Sequence, residues 1–133
     1  MIRGSCLCGQ VGYECGSLSG PIVHCHCRTC QKAQASAFNT SARTLRVGFG
    51  WTQGEDGLVA FASSPGKLRW FCKACGAHLL SEWIDRPEVV LRIATVDEGL
   101  GSVRPQAHIW VSHLPEWDVL PEDALPRYAE GME

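Results

Sequence analysis

A chain of 133 residues with 12 lysines and arginines against 14 aspartates and glutamates carries a formal net charge of -2, and its cations are scattered rather than gathered on one stretch. Nucleic acid is thereby excluded as the main partner, and no run approaches the ~20 apolar residues of a membrane span or the apolar core of a secretory leader. The expectation is one domain over residues 1–133, in the cytoplasm, where eight cysteines stay reduced and metal binding outweighs a disulfide framework.

The chain opens with Ser5-Cys6-Leu7-Cys8-Gly9, where cysteines two apart share one face of a strand and Leu7 takes the other. Gln10 to Cys15 alternates like the second strand of a hairpin, and Gly16 to Pro21 is loop by composition. Ile22-Val23-His24 leads into His24-Cys25-His26-Cys27-Arg28-Thr29-Cys30, three cysteines within six residues. A short helix is predicted over Gln31 to Ala35, starting near Thr29 as its cap.

Beyond the helix, Phe38-Asn39-Thr40, Leu45-Arg46-Val47, Leu58-Val59-Ala60-Phe61 and Leu68-Arg69-Trp70-Phe71 are short apolar or alternating runs split by glycine and proline. That pattern predicts a mostly β, mostly antiparallel fold. Phe71-Cys72-Lys73-Ala74-Cys75-Gly76 has knuckle spacing, with a glycine free to enter the positive φ that a tight turn around a metal needs. His78 to Trp83, Val89 to Ala94 and Ala107 to Val111 read as further strands, and the tail from Pro115 as irregular or briefly helical.

If Cys25 and Cys27 lie on a strand, their thiols share a face and Cys30 folds back onto them from the next turn. Three soft sulfurs on one point suit zinc and leave its fourth corner open. Cys6 with Cys8 and Cys72 with Cys75 each provide half of a tetrahedron, together a closed, structural four-thiolate zinc site. A thioredoxin-like reading of Cys72 and Cys75 wants a helix N-terminus at the first cysteine, and Gly76 after a strand argues for a turn. Cys15 is left over as a small apolar residue rather than a fourth ligand.

His24 and His26 alternate with the cysteines and so face away from the thiols, while His78 and His108 sit in strand-like runs that suit interior histidines. No histidine is followed two residues on by glutamate, so the general base of a zinc deaminase is missing. Zinc on three thiolates has a formal charge of −1 and is a weaker Lewis acid than on three histidines, which turns the open corner from hydrolysis toward capture of a substrate thiol. Arg28 and Lys32 flank the cluster as candidate receivers of a substrate carboxylate.

The order Cys6-Leu7-Cys8-Gly9, Cys25-His26-Cys27-Arg28-Thr29-Cys30, Phe71-Cys72-Lys73-Ala74-Cys75-Gly76, then Pro105, His108-Ile109 and Trp117, resembles the glutathione-dependent formaldehyde-activating enzyme family, which includes centromere protein V-like proteins. The resemblance covers nearly the whole chain. It implies a β-tent fold, a structural zinc on Cys6, Cys8, Cys72 and Cys75, and a catalytic zinc on Cys25, Cys27 and Cys30. The implied activity is a carbon–sulfur lyase reaction, written in the condensing direction as glutathione plus formaldehyde giving S-(hydroxymethyl)glutathione. Ala35 stands where the family commonly has glycine, and the chain lacks the extra length of the founding enzyme.

Two functional classes follow. One is an enzyme acting on a thiol adduct, glutathione or another. The other is a zinc-stabilised binding module, with Trp51, Trp70, Trp83, Trp110 and Trp117 available for an interface and the second zinc closed by a further ligand such as Cys15.

Overall fold

Alternation decides the larger sheet. In the computed structural model, which describes residues 1–132, it runs β11 (Pro105–Ile109), β3 (Ile22–Cys25), β4 (Asn39–Leu45), β9 (Glu88–Arg92), β8 (His78–Trp83), β7 (Lys67–Cys72), β6 (Leu58–Ser64) from one edge to the other. All its pairings are antiparallel except β3 with β11, which are parallel.

Register then sorts the side chains. Ala42, Leu91, Leu80 and Trp70 stand opposite one another across β4, β9, β8 and β7, so they share one face. Their chain neighbours are polar: Ser41, Arg92, Ser81 and Arg69 take the other face, and Cys25, opposite Asn39, joins them there. The sheet is thus apolar on one side and polar on the other.

The apolar side packs against a four-stranded sheet in the order β10 (Val96–Glu98), β1 (Ile2–Ser5), β2 (Gly12–Cys15), β5 (Gly50–Gln53). Ile2, Val11, Tyr13 and Cys15 meet Cys72, Leu79, Leu80, Val89 and Leu91 in one core. Full burial of a leucine such as Leu91 stabilises the fold by about 2 kcal/mol relative to leaving it in water. Tyr13 lies over Gly4, where any side chain would strike its ring, and its hydroxyl is 2.8 Å from Thr95 Oγ1.

The expected mostly β architecture with one short α-helix is present. The helix, α1 (Arg28–Gln34), begins earlier than the sequence predicted and its cap is Cys27 rather than Thr29. Cys27 has extended backbone, and its sulfur accepts the N–H of Cys30 at 3.3 Å, a role usually taken by an oxygen side chain. Leu45-Arg46-Val47 does not continue as a strand: Arg46–Gly48 is a 3₁₀ turn, because the Arg46 guanidinium bends away to Glu82 and to the carbonyls of Trp83 and Arg86. Strands β5 and β10 were not foreseen, both being short and mostly exposed.

From Pro115 to residue 132 no helix or strand forms, as expected of the tail. It is nevertheless held. His108 N–H donates to the Pro126 carbonyl and Tyr128 N–H to the His108 carbonyl, both at 2.9 Å, and Trp110 N–H donates to the Glu130 carbonyl.

Candidate metal centres

Cys6 and Cys8 belong to the turn between β1 and β2, not to a strand. The turn is closed by Gly9 N–H on the Cys6 carbonyl, so Cys8 swings round while Leu7 is left 86% exposed. Cys72 ends β7, and the chain doubles back through Cys75 and Gly76, whose φ of 78° is the left-handed value the knuckle spacing called for. The four thiols meet: Cys6 and Cys8 sulfurs are 3.6 Å apart and Cys8 and Cys72 3.9 Å, with all four within 4.8 Å of one another.

Those separations test the site. Four thiolates at 2.3 Å from a tetrahedral ion stand about 3.8 Å from each other. The Cys6–Cys8 and Cys8–Cys72 separations both match an edge of such a tetrahedron. Backbone donors complete it: the Ala77 N–H and the Cys8 N–H pull the Cys75 thiol down to about 6. The Val11 N–H reaches Cys6 Sγ at 3.3 Å. The Gln10 N–H also favours the Cys8 thiolate, but desolvation and the neighbouring sulfurs push that thiol up to about 11. Four adjacent thiols ionise together only against a cation, and a donor set of soft thiolates suits zinc.

The second group comes together by a different route from the one the sequence suggested. Cys25 is the last residue of β3, Cys27 caps α1 and Cys30 lies in its first turn, so helical geometry rather than strand alternation gathers the three. Cys25 and Cys30 sulfurs are 3.8 Å apart, again the edge of a tetrahedron, and all three lie within 4.8 Å. Cys25 and Cys30 are buried and Cys27 is half-buried, so access is from the Cys27 side. Cys15 is fully buried in the core and belongs to neither group. Among the described residues no fourth cysteine, histidine or carboxylate completes this set.

What surrounds it is cationic. Arg69 Nη1 lies 3.9 Å from Cys30 Sγ and Asn39 Nδ2 4.0 Å, while Arg92 sits on the same face, 4% exposed. Hydrogen bonding with Cys25 and Cys27, with the field of Arg92 and Arg69, holds the Cys30 thiol far below its ordinary value; hydrogen bonding with Cys27 and Cys30, with burial, pushes Cys25 far up. Burial pulls the Arg92 guanidinium down to about 10, still cationic at neutral pH. Lys67 is lowered by its own burial and by the two arginines. None of these three was singled out from the sequence. The available signal was a lone arginine inside an apolar run, in Leu68-Arg69-Trp70 and Leu91-Arg92-Ile93.

Arg28 and Lys32, the cations the sequence did single out, project elsewhere. They line a cavity of about 300 Å³ with Gln31, Ala35 and Trp117, on the side of α1 turned away from Cys30. Arg28 Nη1 donates to Gln31 Oε1 at 3.0 Å. Trp117, 69% exposed, comes from the tail and forms the outer wall. Trp51 and Trp70 pack on the core instead, and the ring of Trp83 is approached by Lys67 at 5.1 Å and Arg86 at 5.2 Å.

His24 and His26 face away from the sulfurs, as alternation required. His24 Nδ1 is 2.8 Å from Thr40 Oγ1, and His26 Nε2 is 2.9 Å from His108 Nδ1. His108 Nε2 meets Asp123 Oδ2 at 2.8 Å, so the carboxylate fixes that nitrogen as the donor and leaves Nδ1 to accept from His26. The row of rings thus ends in the tail. His78 stacks on Phe71 and lies within the field of Arg92 and Arg69.

A family model described as glutathione-dependent formaldehyde-activating enzyme matches residues 1–113 of the chain. A crystal structure of a Rhodobacter sphaeroides protein has the same fold, with a TM-score of 0.63 at 20% identity over 95% of this chain and 98% of that one. No curated protein matches the chain. No helix among the described residues is long and apolar enough to cross a membrane.

Proposed function

The chain belongs to the glutathione-dependent formaldehyde-activating enzyme family, and from that premise we propose that it is a cytoplasmic, single-domain, zinc-dependent carbon–sulfur lyase acting on an adduct of glutathione or another small thiol. In this reading Cys25, Cys27 and Cys30 hold the catalytic ion, and Cys6, Cys8, Cys72 and Cys75 hold a structural one. The observation that carries it is the contrast between the two centres: four sulfurs close the first, while the second offers three, with Cys27 half-buried at its mouth.

A divalent ion at the three cysteines supplies a corner at which a substrate thiol is favoured as its thiolate. The rest is the chain's own work. In the condensing direction the sulfur forms a bond to the formaldehyde carbon, the carbonyl π pair passes to oxygen, and the proton given up by the thiol ends there. In this reading Arg28 and Lys32, in the cavity that begins one residue beyond Cys27, receive the carboxylates of glutathione, and Trp117 shields the peptide from water.

The test is calorimetric titration of glutathione into zinc-loaded protein, with metal content measured on the same sample. Binding that requires the second equivalent of zinc is expected. Two bound zincs and no glutathione heat would remove glutathione as the thiol and turn attention to another thiol or to a zinc-stabilised binding module.

A further inference from the structure

Two buried guanidiniums without a carboxylate are an electrostatic debt. Arg69 and Arg92 are 5% and 4% exposed, and among the described residues neither pairs with an aspartate or glutamate. Arg69 Nε donates to Ser63 Oγ at 2.9 Å, but the Nε of Arg92 is buried with no partner at all. Buried charges survive only against counter-charges, and the ones facing these arginines are the sulfurs of Cys30, Cys25 and Cys27.

The charge at this face can be counted. Three thiolates are offset by one divalent ion and two guanidiniums with one positive charge left over, before half-buried Lys67 is considered. The formal −1 that three thiolates give a zinc ion is therefore not the charge that an incoming ligand meets. Water or a neutral imidazole leaves the excess standing in a low-dielectric site, whereas a monoanion cancels it.

We propose that Arg69 and Arg92 make the open corner of the Cys25–Cys27–Cys30 centre an anion site, selective for a compact monoanionic fourth ligand such as a thiolate, whatever body the ligand carries. The inference rests on the reading of these cysteines as a metal centre and deepens it: selection at the reacting atom comes from the sheet beneath the metal, and selection for the rest of the substrate from the separate cavity of Arg28, Lys32 and Trp117. Arg69 and Arg92 act on the ligand's charge. They do not coordinate the metal.

The experiment is calorimetry of sodium azide and of imidazole on protein loaded with two equivalents of zinc. Azide should bind, and its heat should vanish in Cys27→Ala; azide binding that survives there overturns the location. Arg69→Gln should weaken azide about tenfold or more and leave imidazole within about twofold, while Arg69→Lys keeps the charge and should hold azide within about threefold of wild type. Equal azide affinity in wild type and Arg69→Gln, or an Arg69→Lys loss as deep as that of Arg69→Gln, overturns the proposal. If Arg69→Gln does not fold, the wild type decides: imidazole bound more tightly than azide overturns it. Azide that tracks Arg69 with glutathione silent removes the glutathione reading and keeps the anion site; glutathione binding indifferent to Arg69 does the reverse.

Discussion

Cys8 and Cys72 are 64 residues apart in the chain and 3.9 Å apart through their sulfurs. That contact ties the β1–β2 turn of the smaller sheet to the end of β7 in the larger one, across the shared core. Chelation of the metal with a strong ligand is expected to lower the melting temperature sharply. Cys72→Ser should be destabilised by about 3 kcal/mol or more, since it loses a metal ligand and buries an unpaired hydroxyl in the same step. Denaturant unfolding with and without metal measures both.

Removal of a sulfur from the other centre should separate activity from stability. Cys27→Ala is expected to retain one zinc equivalent of two, to lose glutathione-dependent activity, and to lose about 1 kcal/mol from the helix start that its sulfur caps. Metal analysis beside thermal unfolding checks this. Full activity with one zinc would sink the catalytic assignment.

The tail is pinned by the contact of Asp123 with His108, and the hydrogen bond from His108 holds that carboxyl below the usual carboxylate range. Asp123→Ala should free residues 115–132 and expose them to protease roughly severalfold faster than wild type, with the metal content unchanged. An unchanged cleavage rate would mean that the backbone bonds to β11 suffice.

Acid should weaken the fold from near neutrality. Burial lowers His24, His26 and His78 below the ordinary histidine value, so as pH falls past about 6.5 the unfolded chain takes up protons that the folded chain refuses. Stability therefore declines with falling pH until the folded-state values are reached. In His78→Gln the decline between pH 7 and pH 5.5 should be shallower, as read from denaturant midpoints at matched metal content.

Ala35 ends α1 with φ 49° and ψ 50°, the left-handed conformation, and its N–H donates to the Gln31 carbonyl. Glycine adopts this without penalty. Ala35→Gly is expected to stabilise the protein by about 0.5–1 kcal/mol despite glycine's entropy in the unfolded chain.

The two cysteine clusters were legible because each piece is local: a turn or a helical cap gathers thiols that are two, three or five residues apart, and the two pairs left over complete a four-sulfur group only together. Their routes were less so. Cys27 was placed on a strand because alternation satisfied the spacing as well as a cap did, and sulfur is not among the common capping atoms. Arg69 and Arg92 could not be assigned to Cys30 at all, because only the register of β7, β8, β9 and β4 puts them on one face with Cys25. The parallel pairing of β11 with β3 was hidden for a similar reason, since alternation fixes faces and not strand direction. The tail looked irregular and was, but its hold on His108 runs through backbone carbonyls that carry no sequence signature.

The unequal span of the two centres also bears on the order in which a newly made chain matures. Cys25 and Cys30 are five residues apart in the chain, Cys8 and Cys72 are 64 apart, and closing the longer loop costs about 2 kcal/mol more in chain entropy. The longer one must also wait for Cys75 to leave the ribosome. An ion bound by the three-cysteine group would thus need only a short stretch of chain in place, whereas one bound by the four-cysteine group would have to draw the two sheets together.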